Sequence, residues 1–160
     1  MIRILLTTFL SFALAGQAQA LSCMAPSFAS SFKTANEADA SYVLVLGQLE
    51  PLPGETIPED QGVGPNDREG YSVQVRFEGK MATPTGFDHD VSFPLTVEVT
   101  CAGPWCGGVP RDRIIAFVER RGEENILVEG PCPRFALSAN PERVAAAESC
   151  VTDGICDAPQ

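Results

Sequence analysis

Residues 100–132 read TCAGPWCGGVPRDRIIAFVERRGEENILVEGPC and hold three of the six cysteines, the only tryptophan and the clearest hairpin of the chain. Residues 113–119, RIIAFVE, form a strand. Residues 120–125 are a charged turn with Gly122 available for a positive φ, and residues 126–129, ILVE, return as the partner strand. Ahead of this hairpin, Cys101 to Cys106 encloses Ala-Gly-Pro-Trp, a turn composition that suits a small disulfide loop. Trp105 on that loop is either a ligand platform or a lid over the core, and packing is the commoner role of a single aromatic. The strands upstream need this hairpin to close their sheet.

Working outward, Tyr71, Val73, Val75 and Phe77 alternate with Ser72, Gln74, Arg76 and Glu78, which specifies a strand with one buried face. Val91, Phe93, Leu95, Val97, Val99 and Cys101 alternate in the same way, so the two pair most simply as an antiparallel hairpin across residues 83–88. Pro94 lacks a ladder donor and belongs at a bulge or an edge. Residues 41–50, SYVLVLGQLE, are a nearly continuous apolar run, too short and too β-branched to prefer helix, and read as a strand buried on both faces. Gly47 marks a bulge or a bend where a closed sheet turns. Residues 51–70, PLPGETIPEDQGVGPNDREG, are rich in proline, glycine and acid, with nothing to place in a core; a loop of this length is often functional in a compact domain.

Two short helices flank the strands. Within residues 26–40, Phe28, Phe32 and Ala35 fall at i, i+4 and i+7 and share one helical face. Past Cys132, Asn140 caps a helix that Pro141 opens and that continues through Glu148. Cys150 with Cys156 then ties down the tail.

The first twenty residues carry one charge, Arg3, then an apolar run over residues 4–15 and Ala18-Gln19-Ala20, the layout of a secretory signal. That run is about a dozen residues where a membrane span needs roughly 20, which disfavours an uncleaved anchor. A lipoprotein cut before Cys23 normally follows a leucine three residues upstream, where Ala20 stands. Cleavage after Ala20 leaves residues 21–160 as one domain, secreted or periplasmic. The formal charge of −10 becomes −11 when Arg3 is removed, so nucleic acid and anionic membrane surfaces are poor partners. An even number of cysteines behind a secretion signal points to disulfides rather than thiol chemistry. The sequence does not choose among the pairings, but spacing suggests Cys101 with Cys106 and Cys150 with Cys156, leaving Cys23 for Cys132. The long closure is worth about 4 to 5 kcal/mol in the chain-entropy model, against about 2 for a short loop.

Chemistry is sparse. Glu59, Asp60, Asn66, Asp67 and Glu69 do not follow the spacing of a helix-loop-helix calcium loop. Structural zinc needs clustered Cys or Cys/His pairs, and there is one histidine and no Cys-x-x-Cys. In Asp88-His89-Asp90 carboxylates flank an imidazole, as in general-base and metal sites. Neighbours on a strand point to opposite faces and do not converge, so the triplet reads as an exposed turn. No Gly-x-Ser-x-Gly nucleophile motif occurs. No catalytic residue, metal ligand or cofactor is assigned.

The assembled order is helix, five strands in a meander with one long early loop, and helix. It implies a mainly β fold: a small, five-stranded, closed barrel of the oligonucleotide/oligosaccharide-binding (OB) type, disulfide-stabilised, with a short helix near each end. Cys23 just after the signal, ADASYVLVLG at residues 38–47, Cys106-Gly107 ahead of residues 113–119, and residues 127–132 closing on Cys132 together resemble the netrin-like domain. Its best-known members are the tissue inhibitors of metalloproteinases, and the resemblance covers nearly the whole of residues 21–160.

What the resemblance implies is a non-enzymatic, secreted protein-binding module, with a protease as the partner. In the inhibitors the mature chain begins with cysteine, whose amino group and carbonyl cap the protease zinc; here Leu21-Ser22 precede Cys23. The surfaces so implied are Leu21, Ser22, Cys23 and Met24 at one edge, and Glu59, Asp60, Asp67 and Glu69 in the long loop, which sits where the inhibitors carry a variable contact loop. The alternative is a small-molecule or glycan binder that uses a barrel face, with Trp105 as its platform.

Overall fold

A computed structural model describes residues 22–59 and 68–156; the secretory signal expected at residues 1–20 lies outside them. In chain order the elements are α1 (Phe28–Glu37), β1 (Tyr42–Pro51), β2 (Tyr71–Thr83), β3 (Gly86–Val99), β4 (Cys101–Ala102), β5 (Trp105–Cys106), β6 (Ile114–Arg121), β7 (Glu124–Glu129), β8 (Ala136–Ser138) and α2 (Pro141–Asp153). Strands β1, β2, β3, β7 and β6 are joined edge to edge in that order, and β6 pairs back onto β1. The ring is a closed five-stranded barrel, which leaves only short stretches of strand edge unpaired. β8 adds to β6 outside the ring, and β4 with β5 forms a separate two-stranded hairpin.

The expected meander is corrected in one respect. β7 does not merely return beside β6; it inserts between β6 and β3, parallel to β3, with Thr96 opposite Ile126 and Val99 opposite Glu129. The covalent hairpin holds β6 and β7 only over Glu119 to Arg121 against Glu124 to Ile126. Beyond that β6 continues along β1, while the opposite edge of β7 carries the ladder to β3.

β1 serves two neighbours. Tyr42 to Gly47 pair with β6 and Val45 to Pro51 with β2. Gly47 lies in the overlap, opposite both Gly79 and Ile114. A Cβ on Gly47 would stand 2.2 Å from the Glu78 carbonyl oxygen and 2.6 Å from the Phe77 ring. The bend anticipated at this glycine is therefore the corner where the sheet folds onto itself.

The β2–β3 hairpin is longer and tighter than expected. Its ladder runs from Tyr71 opposite Val99 to Thr83 opposite Gly86, with one register shift between Met81 and Ala82, and only Pro84 and Thr85 form the turn. Gly86, at φ 112°, supplies the backbone the reversal needs. Pro94 faces Arg76 on β2, but the ladder to β7 starts only at Thr96, so β3 has no strand partner on its other side there. The Asn125 side chain donates to the Pro94 carbonyl instead.

Strand parity divides the apolar residues between two clusters. Val45, Val75, Phe77, Leu95, Val97, Val99, Ile114, Ala116, Val118 and Leu127 fill the barrel. Leu46, Ile115 and Phe117 point outward and are covered by Phe28 and Ala35 of α1 and by Ala147 and Cys150 of α2. The residues IIAFV at the start of β6 are thus buried on both faces, as are the central residues of β1. Each helix is capped as its sequence dictates. Ser27 and Ser30 form a reciprocal capping box on α1, Asn140 accepts from the Arg143 amide at the start of α2, and Gly154 ends α2 in the left-handed conformation.

Candidate functional site

All three disulfides are Cys23–Cys132, Cys101–Cys106 and Cys150–Cys156. They fit an oxidising compartment. Among the described residues no helix is long and apolar enough to cross a membrane.

One barrel end gathers the features singled out above. Here β3 and β7 finish side by side, and the amide of Thr100 donates to the Glu129 carbonyl at 2.9 Å. The Cys101–Cys106 hairpin folds over this point: the Gly107 amide donates to the Thr100 carbonyl, and a Cβ on Gly107 would stand 2.4 Å from the Glu129 carbonyl oxygen. Three residues past Glu129, Cys132 fastens Cys23, joining positions 109 apart in sequence across a Cα–Cα distance of 5.4 Å. The long loop leaves and returns at the same end, since Tyr71 opens β2 opposite Val99.

Of the candidate contact residues, Ser22, Cys23, Met24, Glu59 and Glu69 are exposed, Met24 to 92 %. Leu21, Asp60 and Asp67 lie outside the described residues. The loop is not wholly without core residues, contrary to expectation: Ile57 packs against the barrel cluster, and the Arg111 guanidinium donates to the Pro58 carbonyl at 3.1 Å. A single isoleucine in a polar stretch gives no periodic signal, so the sequence concealed this anchor. The structure thus brings the Cys23 edge and the stems of the acidic loop to one end, although they are far apart in the chain.

Sequence reasoning missed Glu129. It shares a strand face with Leu127, and its residue is 3 % exposed. Its carboxyl accepts from the Ala136 backbone, while Oε1 has no partner. Burial penalises the anion and pushes the carboxyl up to about 8, the Ala136 bond offsetting part of that. The available signal was parity: an inward Leu127 in a strand makes position 129 inward too.

Asp88, His89 and Asp90 lie inside β3 rather than in a turn. Asp88 accepts from the Thr85 and Thr83 hydroxyls, which hold its carboxyl below the usual range, and Asp90 is lowered by its 2.7 Å bond to the Lys80 ammonium. Both carboxylates hydrogen-bond to groups other than the imidazole. Among the described residues no three His, Cys, Asp or Glu groups stand together as a metal site.

Two of the larger surface concavities bear on function. One, of about 560 Å³, crosses the outer face of β1, β2 and β3 and is lined by Gln48, Glu78, Lys80, Asp90, Ser92 and Arg113 around the Gly47–Gly79 pair. Trp105 is not among its lining residues; it is half-buried in the Cys101–Cys106 hairpin. The other, of about 590 Å³, runs between the start of α1 and α2, past Ala25, Phe28, Ala145, Ala146 and Ile155. Comparison with protein-family models, curated proteins and solved structures returns no match to this chain.

Proposed function

We propose that this chain is an exported, non-enzymatic protein-binding module that contacts its partner through the barrel end carrying Cys23 and the acidic loop, in the manner of a metalloprotease-inhibitor-like protein. The carrying observation is convergence. Ser22–Met24, tied down by Cys23–Cys132, and the loop stems at Glu59 and Glu69 share one barrel end, and Met24 stands 92 % exposed beside a covalent anchor. The disulfide beside it ties down the backbone, which cuts the ordering cost of using this exposed apolar side chain as a contact to that of its own rotamers.

The test is inhibition of a panel of secreted zinc proteases by the purified, disulfide-intact protein. Support is saturable inhibition at micromolar concentration that weakens in Met24→Asp and in a variant whose loop between Gly54 and Glu69 is replaced by a short glycine-serine link. Absence of inhibition across the panel, or inhibition that neither change weakens, sinks the reading.

The polar concavity over Gly47 and Gly79 favours a second reading, a small-molecule or glycan binder. Because Trp105 stands apart from that surface, tryptophan fluorescence does not report on it. Amide shifts of Gly47 and Gly79 on titration with sugars do, and unmoved shifts across the panel reject it.

A further inference from the structure

Glu129 is the only ionisable side chain in the buried class among the described residues. Its place in the register makes this consequential. It is the last residue of β7, opposite Val99 at the end of β3, on the face that carries Leu127 into the barrel. Its own carbonyl takes the Thr100 amide, and its backbone lies directly under Gly107. Its carboxyl spans toward β8, where it accepts from the Ala136 backbone. One side chain therefore bridges β7 and β8 while its main chain supports the Cys101–Cys106 hairpin.

Among the described residues no charge stands opposite to compensate it. On β3 the neighbouring Glu98 is on the outer face, paired with Arg121 at 3.0 Å. On β6, Glu119 is also engaged by Arg121, and Arg113 just before that strand is exposed. In the connection after β5, Arg111 is committed to the Pro58 carbonyl and Asp112 is exposed. Before β8, Arg134 is exposed, and the cysteines at this end are in disulfides. Oε1 is left without a partner. A neutral acid tolerates that at the cost of one unmet polar group, whereas an anion in the same place is far more expensive.

We propose that Glu129 is a protonation latch on this barrel end. Neutral, it closes the interior beneath the Cys101–Cys106 hairpin. On losing its proton to solvent it makes that end open and admit water, because hydration of the anion outweighs its single backbone bond to Ala136, so the contacts at Ala136 and Thr100 loosen together. As regulation of partner binding the latch rests on the reading of the previous subsection; as a property of the barrel it stands without a partner.

The experiment uses the disulfide-intact secreted protein, labelled with ¹³C at the glutamate carboxyls and followed by NMR from about pH 4 to 10. Amide protection factors, which remove the intrinsic rise of exchange with pH, are measured in parallel. The expected result is a Glu129 resonance titrating above pH 7, apart from the other glutamates. Protection at Ala136 and Thr100 falls about tenfold across that titration while the middle of the β2–β3 ladder holds. In Glu129→Gln the fall disappears; Glu129→Leu serves the same purpose if the glutamine variant does not fold. A Glu129 that titrates with the other glutamates overturns the latch, as does unchanged protection in the parent protein or the same fall in the variants. Failure of protease inhibition at every pH with the titration intact removes the binding reading alone.

Discussion

The barrel interior and the helix-covered face are built from alternate residues of the same strands, yet they are held by different means. Inside the barrel, Val45, Val75, Phe77, Ala116 and Val118 are wholly buried, and the ring of backbone ladders encloses them. Outside it, Phe28 packs on Phe117 in a tilted pair at a centroid distance of 5.7 Å, and two short helices lie over β1 and β6 with no ladder to hold them. The interior depends on backbone geometry and the outer layer on side-chain packing and covalent ties. Cys23–Cys132 connects the two, running from the lead-in of α1 to the segment after β7.

The comparison breaks first at the barrel corner. Gly47→Val places side-chain carbon where the Glu78 carbonyl and Phe77 already stand, and the close approach of β1 to β2 cannot relax without opening the ring. A loss of roughly 3 kcal/mol or more is expected, with little folded protein recovered. Denaturant unfolding, or the yield of disulfide-complete protein, reads the outcome; near-parental stability would mean that closure does not depend on this corner.

Next is the bond between the two regions, an effect at least as large. Removing Cys23–Cys132 by double serine substitution releases a constraint over 109 positions and should cost about 5 kcal/mol, against about 2 for Cys150–Cys156, which spans 6. Thermal unfolding of the two variants side by side decides it. Equal costs would show that the helical layer is fastened by packing rather than by its link to the barrel.

How far the sequence discloses this division depends on the kind of signal. The alternation from Tyr71 to Phe77 and from Val91 to Val99 was legible because one face of each strand meets water. The run at β1 was legible as doubly buried because alternation is lost when a second layer covers the outer face; β6 was legible as a strand, and its double burial emerges only in the fold. Strand order was not legible: nothing local in ILVE tells β7 to lie parallel to β3. The candidate end was read only in pieces, as a cysteine edge and an acidic loop, because their meeting depends on that order. Ile57 lacked a periodic neighbour, and Glu129 stood only as the last residue of ILVE, although its parity with Leu127 makes it inward.

A third prediction separates the regions by pH. The folded-state value of Glu129, about 8, lies above its ordinary 4.5, so across that window the folded protein keeps a proton that the unfolded chain releases. Stability is fully present below about pH 4.5, falls as pH rises through the window and levels off above 8. At pH 7 the loss is about 3 kcal/mol, and Glu129→Gln, which cannot ionise, should recover most of it. Denaturant titrations of both proteins at pH 5 and 7 test this, and parallel pH profiles would mean that the interior tolerates the anion.

The smallest expected effect belongs to the outer layer. Asn140→Ala removes the side chain that accepts from the Arg143 amide at 2.8 Å, leaving one donor of the first turn of α2 to water. A cap of this kind is worth about 1 kcal/mol. Pro141 still fixes the opening backbone, and Ala147 and Cys150 still bury the helix against Leu46 and Leu137. Amide exchange should therefore speed up in α2 and leave the β2–β3 ladder unchanged, because the barrel closes without the helix. Faster exchange in β3 or β7 as well would show that the two clusters unfold as one unit, and that the division between ladder-held interior and packed outer layer is one of construction only.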